Sequence, residues 1–237
     1  MIKISIWSDF ACPYCYIGEN RLINAIRDLG LDDKTTIDYR AFELDPKMDP
    51  DKVTGVSERI AGKYHTTPEK AAEQIREISQ LGRDEGIDFK YETALYTNTL
   101  KAHRLMKYAE AKYDADTVAR LNERLFKAYF VENAVLNDIN VLASAAADVG
   151  MNSDEVKIML VGDDYTDAVR ADEREAESLR VAGVPFFLIN GKIAIRGAIS
   201  TEDFKEALKQ MIAHKKEPVH FHDEKPHTCG HHGCDLV

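Results

Sequence analysis

A cysteine pair, Cys12-Pro13-Tyr14-Cys15, stands where one kind of periodicity gives way to another, and that junction restricts what the chain can fold into. Before it, Ile2, Ile4 and Ile6 alternate with Lys3 and Ser5, a period of two that predicts a strand. After it, Leu22, Ile26 and Leu29 share one helical face, and Gly30 suits the position just past a helix end. Pro13 fits the first helical position, where a missing N–H costs nothing, which makes Cys12 the N-cap. Unpaired N–H groups and the helix dipole stabilise an anion there, so Cys12 is expected to attack as a thiolate. Cys15, one turn inward on the same side, is placed to resolve. A zinc half-site and a buried inert pair are the bland alternatives, and the strand-to-helix context favours redox chemistry over both.

The remaining elements follow in order. Residues 35–44 alternate Ile37, Tyr39 and Ala41 with Asp38 and Arg40, a second strand ended by Asp45-Pro46. Strand, helix, strand makes a βαβ unit with parallel strands. From Met48 to about Ala182 the period is helical. Thr67, Asn98 or Thr99, Asp138, Ser153 and Asp164 are read as helix starts, and Gly86, Gly150 and Gly162 as stops. Strand character returns at 184–189, Asn190-Gly191 signals a tight hairpin, and 192–196 is the returning strand. Ser200 or Thr201 caps a last helix to about His214. The two strand sets complete one another only together, as a four-stranded mixed sheet with helices on both faces. The expected division is a discontinuous α/β core, 1–46 and 164–216, an inserted all-α domain, 47–163, and a tail, 217–237.

Composition narrows the function. The net charge of −10, with no basic block, argues against nucleic-acid and anionic-membrane partners. No run approaches the roughly 18 apolar residues of a membrane span. Met1 leads straight into a strand without signal-peptide features, from which a cytoplasmic location is expected. In a reducing compartment the four cysteines, paired as Cys12/Cys15 and Cys229/Cys234, point to catalysis or metal rather than structural disulfides.

Four stretches then carry a resemblance: residues 9–18 around the cysteines, Arg40-Ala41-Phe42-Glu43-Leu44-Asp45-Pro46, Asn98 to Leu105, and Gly183-Val184-Pro185-Phe186-Phe187-Leu188. Together they resemble the DsbA family of thiol–disulfide oxidoreductases, and within it the cytosolic FrnE-like branch. The resemblance implies a thioredoxin-like fold interrupted by helices, with Cys12 and Cys15 as the redox pair. It implies that Pro185 is the family's cis-proline, facing the cysteines and presenting backbone to substrate. Tyr14 stands where the branch often has tryptophan.

Candidate substrate-binding residues are Val184, Pro185, Tyr14 and His103. For His103 a polar helix–core boundary and a position facing Cys12 are both open. The tail supports three readings: an auxiliary redox pair Cys229/Cys234, a metal site from Cys229, Cys234, His227, His231 and His232, and a disordered exposed end. The leading function is disulfide exchange with protein or peptide substrates, without an organic or metal cofactor. Its reducing partner is glutathione or a thioredoxin system. A glutathione-binding kappa-type transferase or a 2-hydroxychromene-2-carboxylate-isomerase-like enzyme is the alternative; there the resolving cysteine is usually absent. A four-thiolate zinc protein is the third.

Overall fold

The computed structural model describes residues 1–213, 228–230 and 233–234, which fall into two compact units. The first comprises Met1–Leu44 with the chain from Glu175 onward, the second Asp45–Arg174.

In the first unit, strand β1 (Ile2–Ser8) leads into helix α1 (Pro13–Asp28), which returns the chain to β2 (Thr35–Ala41), parallel to β1. On its other side β1 pairs antiparallel with Phe186–Ile189, which turns back into Ile193–Arg196. The hairpin connection is Asn190-Gly191-Lys192, closed by the Ile189–Ile193 pair, and Asn190 and Gly191 have φ of 49° and 67°. Both values lie in the left-handed region, where Asn and Gly carry the least strain. The outcome is the expected four-stranded mixed sheet. Apolar alternation drives it: Ile4, Ile6, Phe187, Ile189 and Ile195 are all buried.

The last described helix of this unit, Thr201–Ile212, is capped by Ser200, whose hydroxyl accepts from the Asp203 N–H. It lays Phe204 edge-on against Phe187, ring centroids 4.9 Å apart, and lies beside α1. Helix α1 comes close to the sheet at Gly18. A Cβ there would stand 3.2 Å from both the Pro185 ring and the Phe187 ring. A side chain at a helical glycine ordinarily gains about 1 kcal/mol, whereas overpacking a filled site costs about 1–3 kcal/mol. Overpacking is the larger, so Gly18→Leu is expected to lower the urea midpoint. An unchanged midpoint would mean that the ring pocket yields freely.

The second unit pairs two short strands, β3 (Thr54–Gly55) and β4 (Leu95–Tyr96), with the helices α2 (Val56–Lys63), α3 (Pro68–Asp84), α4 (Leu100–Lys112), α5 (Ala115–Phe130), α6 (Ile139–Asp148) and α7 (Ser153–Val161). Thr67 and Asp138 cap as expected. Thr99 is the N-cap of α4, but the neighbouring Asn98 supplies the oxygen that accepts from Leu100. Two starts differ from the sequence reading. Asn152, not Ser153, caps α7, accepting from the Asp154 and Glu155 N–H groups. The helix expected at Asp164 is α8 (Thr166–Ser178): Tyr165 has φ of 65°, incompatible with helix, and the Asp164 carbonyl is taken by Arg104 at 2.7 Å.

The unit boundary also falls later than the expected 163/164, at 174/175 inside α8. The physical reason is visible at Lys107, whose Nζ lies 2.6 Å from Asp172 in a buried ion pair, holding that part of α8 within the second unit. In the numbering used below, Phe186–Ile189 is β5, Ile193–Arg196 is β6 and Thr201–Ile212 is α9. Among the described residues no helix is long and apolar enough to cross a membrane.

Candidate active site

The loop between β1 and α1 is held by Asp9. Its carboxylate accepts from the Ala11 N–H at 3.1 Å and, across to the end of β2, from the Leu44 N–H at 2.6 Å. Its carbonyl accepts from the Cys12 N–H at 3.0 Å. The aspartate therefore fixes the approach to Cys12 through three bonds. Cys12 is the N-cap of α1 in extended conformation, with Pro13 in the first turn. Its side chain makes no capping bond. Both Cys12 and Cys15 are free thiols, fully buried.

Cys15 has an environment opposed to ionisation. Burial pushes its thiol well up from the ordinary range, and the hydrogen bond and charge of the Cys12 sulfur push the same way. The Asp9 backbone N–H and the Ser8 hydroxyl pull it down. Ser8 in turn donates to the carboxylate of Glu19 at 2.8 Å. Ser8 and Glu19 are both buried.

Val184 comes to the cysteines from the start of β5. The Cys12 thiol donates to its carbonyl, Sγ to oxygen 3.7 Å. The Val184–Pro185 peptide bond is cis, and the Pro185 carbonyl accepts from Gly197 at 2.9 Å. Arg21 on α1 donates to the Ala198 carbonyl at 2.8 Å, tying the helix to the segment after β6.

The backbone of Val184 is already in use. Its N–H donates to the Cys229 carbonyl and its carbonyl accepts from the Cys229 N–H, both at 2.6 Å, in an antiparallel bridge. One oxygen thus receives both the Cys12 thiol and the tail backbone. Cys229 belongs to a strand pair, β7 (Cys229–Gly230) and β8 (Gly233–Cys234), in which Cys229 stands opposite Cys234. Cys229 is buried and disulfide-bonded.

These residues correct two readings of the tail. An exposed, structureless end does not describe Cys229, because backbone pairing to Val184 buries it. A zinc site of four thiolates fails as well, because a sulfur held in a disulfide is not a thiolate ligand. Among the described residues no cluster of three or more metal-ligating side chains occurs. His227, His231 and His232 lie outside the described residues, as does the side chain of Cys234.

The structure brings Cys12, Cys15 and Val184 together, with Pro185 adjacent and Tyr14 buried between the cysteines. His103 lies buried on α4 in the second unit. Sequence reading missed Ser8 and Glu19. The signal was present: Cys15 and Glu19 are four apart on α1 and so share a face.

Residues 3–209 match the family described as DSBA-like thioredoxin domain. The chain belongs to that family. It is 25% identical over 211 residues to the uncharacterized protein YwbO of Bacillus subtilis (strain 168), covering 87% of this chain and 96% of YwbO. Its structure is similar to that of a probable DsbA oxidoreductase from Streptomyces coelicolor, with a TM-score of 0.85, 30% identity and full coverage of both chains. A likeness of fold alone extends to the cytosolic disulfide reductase DsbM from Pseudomonas aeruginosa with GSH, at a TM-score of 0.60 and 18% identity over 89% of this chain and 99% of that one.

Proposed function

We propose that this member of the DSBA-like thioredoxin family is a cytoplasmic thiol–disulfide oxidoreductase of protein or peptide substrates, working through Cys12 and Cys15. The observation that carries this reading is the pair of adjacent free thiols at the start of α1, with the Val184 backbone facing them. Cys12 attacks a substrate disulfide, forming a Cys12–substrate bond and releasing one substrate thiolate. Cys15 then attacks Cys12, closing the Cys12–Cys15 disulfide and releasing the second. Two electrons pass from the protein to the substrate. A thiol donor resets the pair, and glutathione is our candidate, by analogy with the fold-related DsbM described with GSH. A transferase that lacks a resolving step is disfavoured by Cys15, which is free and within hydrogen-bond reach of Cys12.

The edge at Val184 is the substrate seat in this reading. An extended peptide would bond its N–H and carbonyl by strand addition, as Cys229 does. Cys229 and Cys234 are proposed as an auxiliary pair that exchanges with Cys12 from that seat. The test of the main proposal is a trap. Cys15→Ser should accumulate a covalent adduct between Cys12 and a disulfide-bonded peptide, seen by intact mass and discharged by dithiothreitol. Failure of any adduct to form under conditions where the wild type consumes the peptide would sink the reading.

A further inference from the structure

The Val184 seat, a premise carried over from the proposed function, is filled by a cysteine whose backbone faces one way only. In an antiparallel ladder, opposed residues alternate in kind. One pair exchanges both N–H···O bonds; the next makes none between its members, and its Cα atoms stand closer, about 4.5 Å apart. Val184 and Cys229 exchange both bonds, at 2.6 Å each, so they are a hydrogen-bonded pair. The N–H and carbonyl of Cys229 are thereby spent on Val184. On its other side Cys229 stands opposite Cys234 in the β7–β8 pair. That pair is then of the second kind, without hydrogen bonds between its members, and Gly230 with Gly233 beside it is the bonded one. Cys229 is fully buried in this arrangement.

The seat therefore admits more than a lone extended peptide. It takes the edge of a two-stranded segment, docked through a cysteine whose N–H and carbonyl face outward. A cysteine at a bonded position of a hairpin has no such groups to offer, because its partner strand holds them, and it could reach Val184 only by unpairing. A structureless peptide has them, but it must be ordered on arrival, at a cost in conformational freedom that a hairpin has already met. The close Cα spacing at unbonded positions also falls within the range that a disulfide spans, about 4.4–6.8 Å.

We propose that the substrates are cross-strand disulfides of β-hairpins, joined across a non-hydrogen-bonded pair, and that the Val184 backbone selects them. The Cys12 sulfur lies 3.7 Å from the Val184 oxygen that receives the docked N–H, so the docked cysteine is the one presented to it. The Cys12 thiolate attacks that sulfur. The Cys12–substrate bond forms, the cross-strand S–S bond breaks, and the facing cysteine leaves as a thiolate that takes a proton from solvent. Cys15, having given its proton to solvent, attacks Cys12; the Cys12–Cys15 bond forms and the docked cysteine leaves as the second thiolate. Two electrons pass from the protein to the hairpin. The strands stay paired throughout, since their ladder bonds lie at the neighbouring positions.

Three peptides of one composition test the selection. The first is a hairpin bridged across a non-hydrogen-bonded pair, the second a hairpin bridged across a hydrogen-bonded pair, and the third a scrambled sequence bridged over the same loop length. Each is mixed with full-length protein that has Cys12 and Cys15 reduced and free donor removed, and the peptide thiols are followed by mass. Each rate is divided by that of dithiothreitol on the same peptide, which removes differences in intrinsic reducibility. The first peptide should lead both others by about tenfold, the worth of one net hydrogen bond at the upper end of its range. N-methylation of both its cysteines leaves the hairpin folded, because those N–H groups lie outside the ladder, and should slow it about tenfold. Corrected rates within about twofold of each other for the two hairpins, or for the parent and N-methylated peptides, would overturn the selection and leave Cys12–Cys15 exchange standing. Reduction of none of the peptides would overturn both.

Discussion

With Cys12 replaced by serine, turnover of insulin disulfides in the presence of a dithiol donor is expected to drop to the uncatalysed rate. The size of this effect follows from the site. A serine hydroxyl at the N-cap has the position but not the nucleophilicity, since disulfide exchange proceeds through a thiolate. Cys15 offers no substitute: it is fully buried and its thiol is pushed up by burial. Cys229 offers none either while its sulfur is held in a disulfide. Turbidity of the reduced insulin chains reads the outcome, and the Cys15→Ser variant is the informative partner. It keeps attack and loses resolution, so it should turn over slowly but still form adducts, whereas Cys12→Ser should form none. Retention of a tenth or more of wild-type turnover by Cys12→Ser would move the attacking thiol elsewhere and undo the assignment.

The parts of this site that were legible in the sequence are those set by local rules. Alternation of Ile2, Ile4 and Ile6 is a property of neighbouring residues, and it became β1. Pro13 at the first helical turn and Cys12 at the cap are decided by backbone donors within one turn. Asn190-Gly191 needed nothing beyond the two residues. The less legible parts depend on partners far along the chain. Strands β3 and β4 are two residues each and some forty residues apart, too short to show a period. Ser8 bonds Glu19 only because α1 folds back over the end of β1, and sequence showed merely that Glu19 shares a face with Cys15. The last helix before β5 begins at Thr166 because Arg104, sixty positions earlier, claims the Asp164 carbonyl. The tail carries no amphipathic period, yet Cys229 finds the one backbone position next to Pro185. Strand addition through N–H and C=O groups leaves no side-chain signature.

That strand addition has a kinetic consequence. Truncation after Lys216 is expected to lower the KM for a short peptide disulfide by about ten- to a hundredfold, with a smaller change in kcat. The argument starts from the two 2.6 Å bonds between Val184 and Cys229. An incoming extended peptide needs the same N–H and carbonyl, so tail and peptide exclude one another at that edge. Each net hydrogen bond contributes about 0.5–1.5 kcal/mol, and about 1.4 kcal/mol is tenfold in binding. The tail is also tethered, so it competes at a high effective concentration that dilution of the protein does not relieve. Cys229→Ser separates the two things the tail does. It leaves the backbone bridge intact, so KM should stay at the wild-type value, while any exchange between Cys229 and Cys12 is lost. A full-length variant and a truncated one with equal KM would mean that the tail leaves the edge faster than substrate arrives. In that case Val184 would be open to peptide throughout the cycle, and the bridge would describe only the protein at rest.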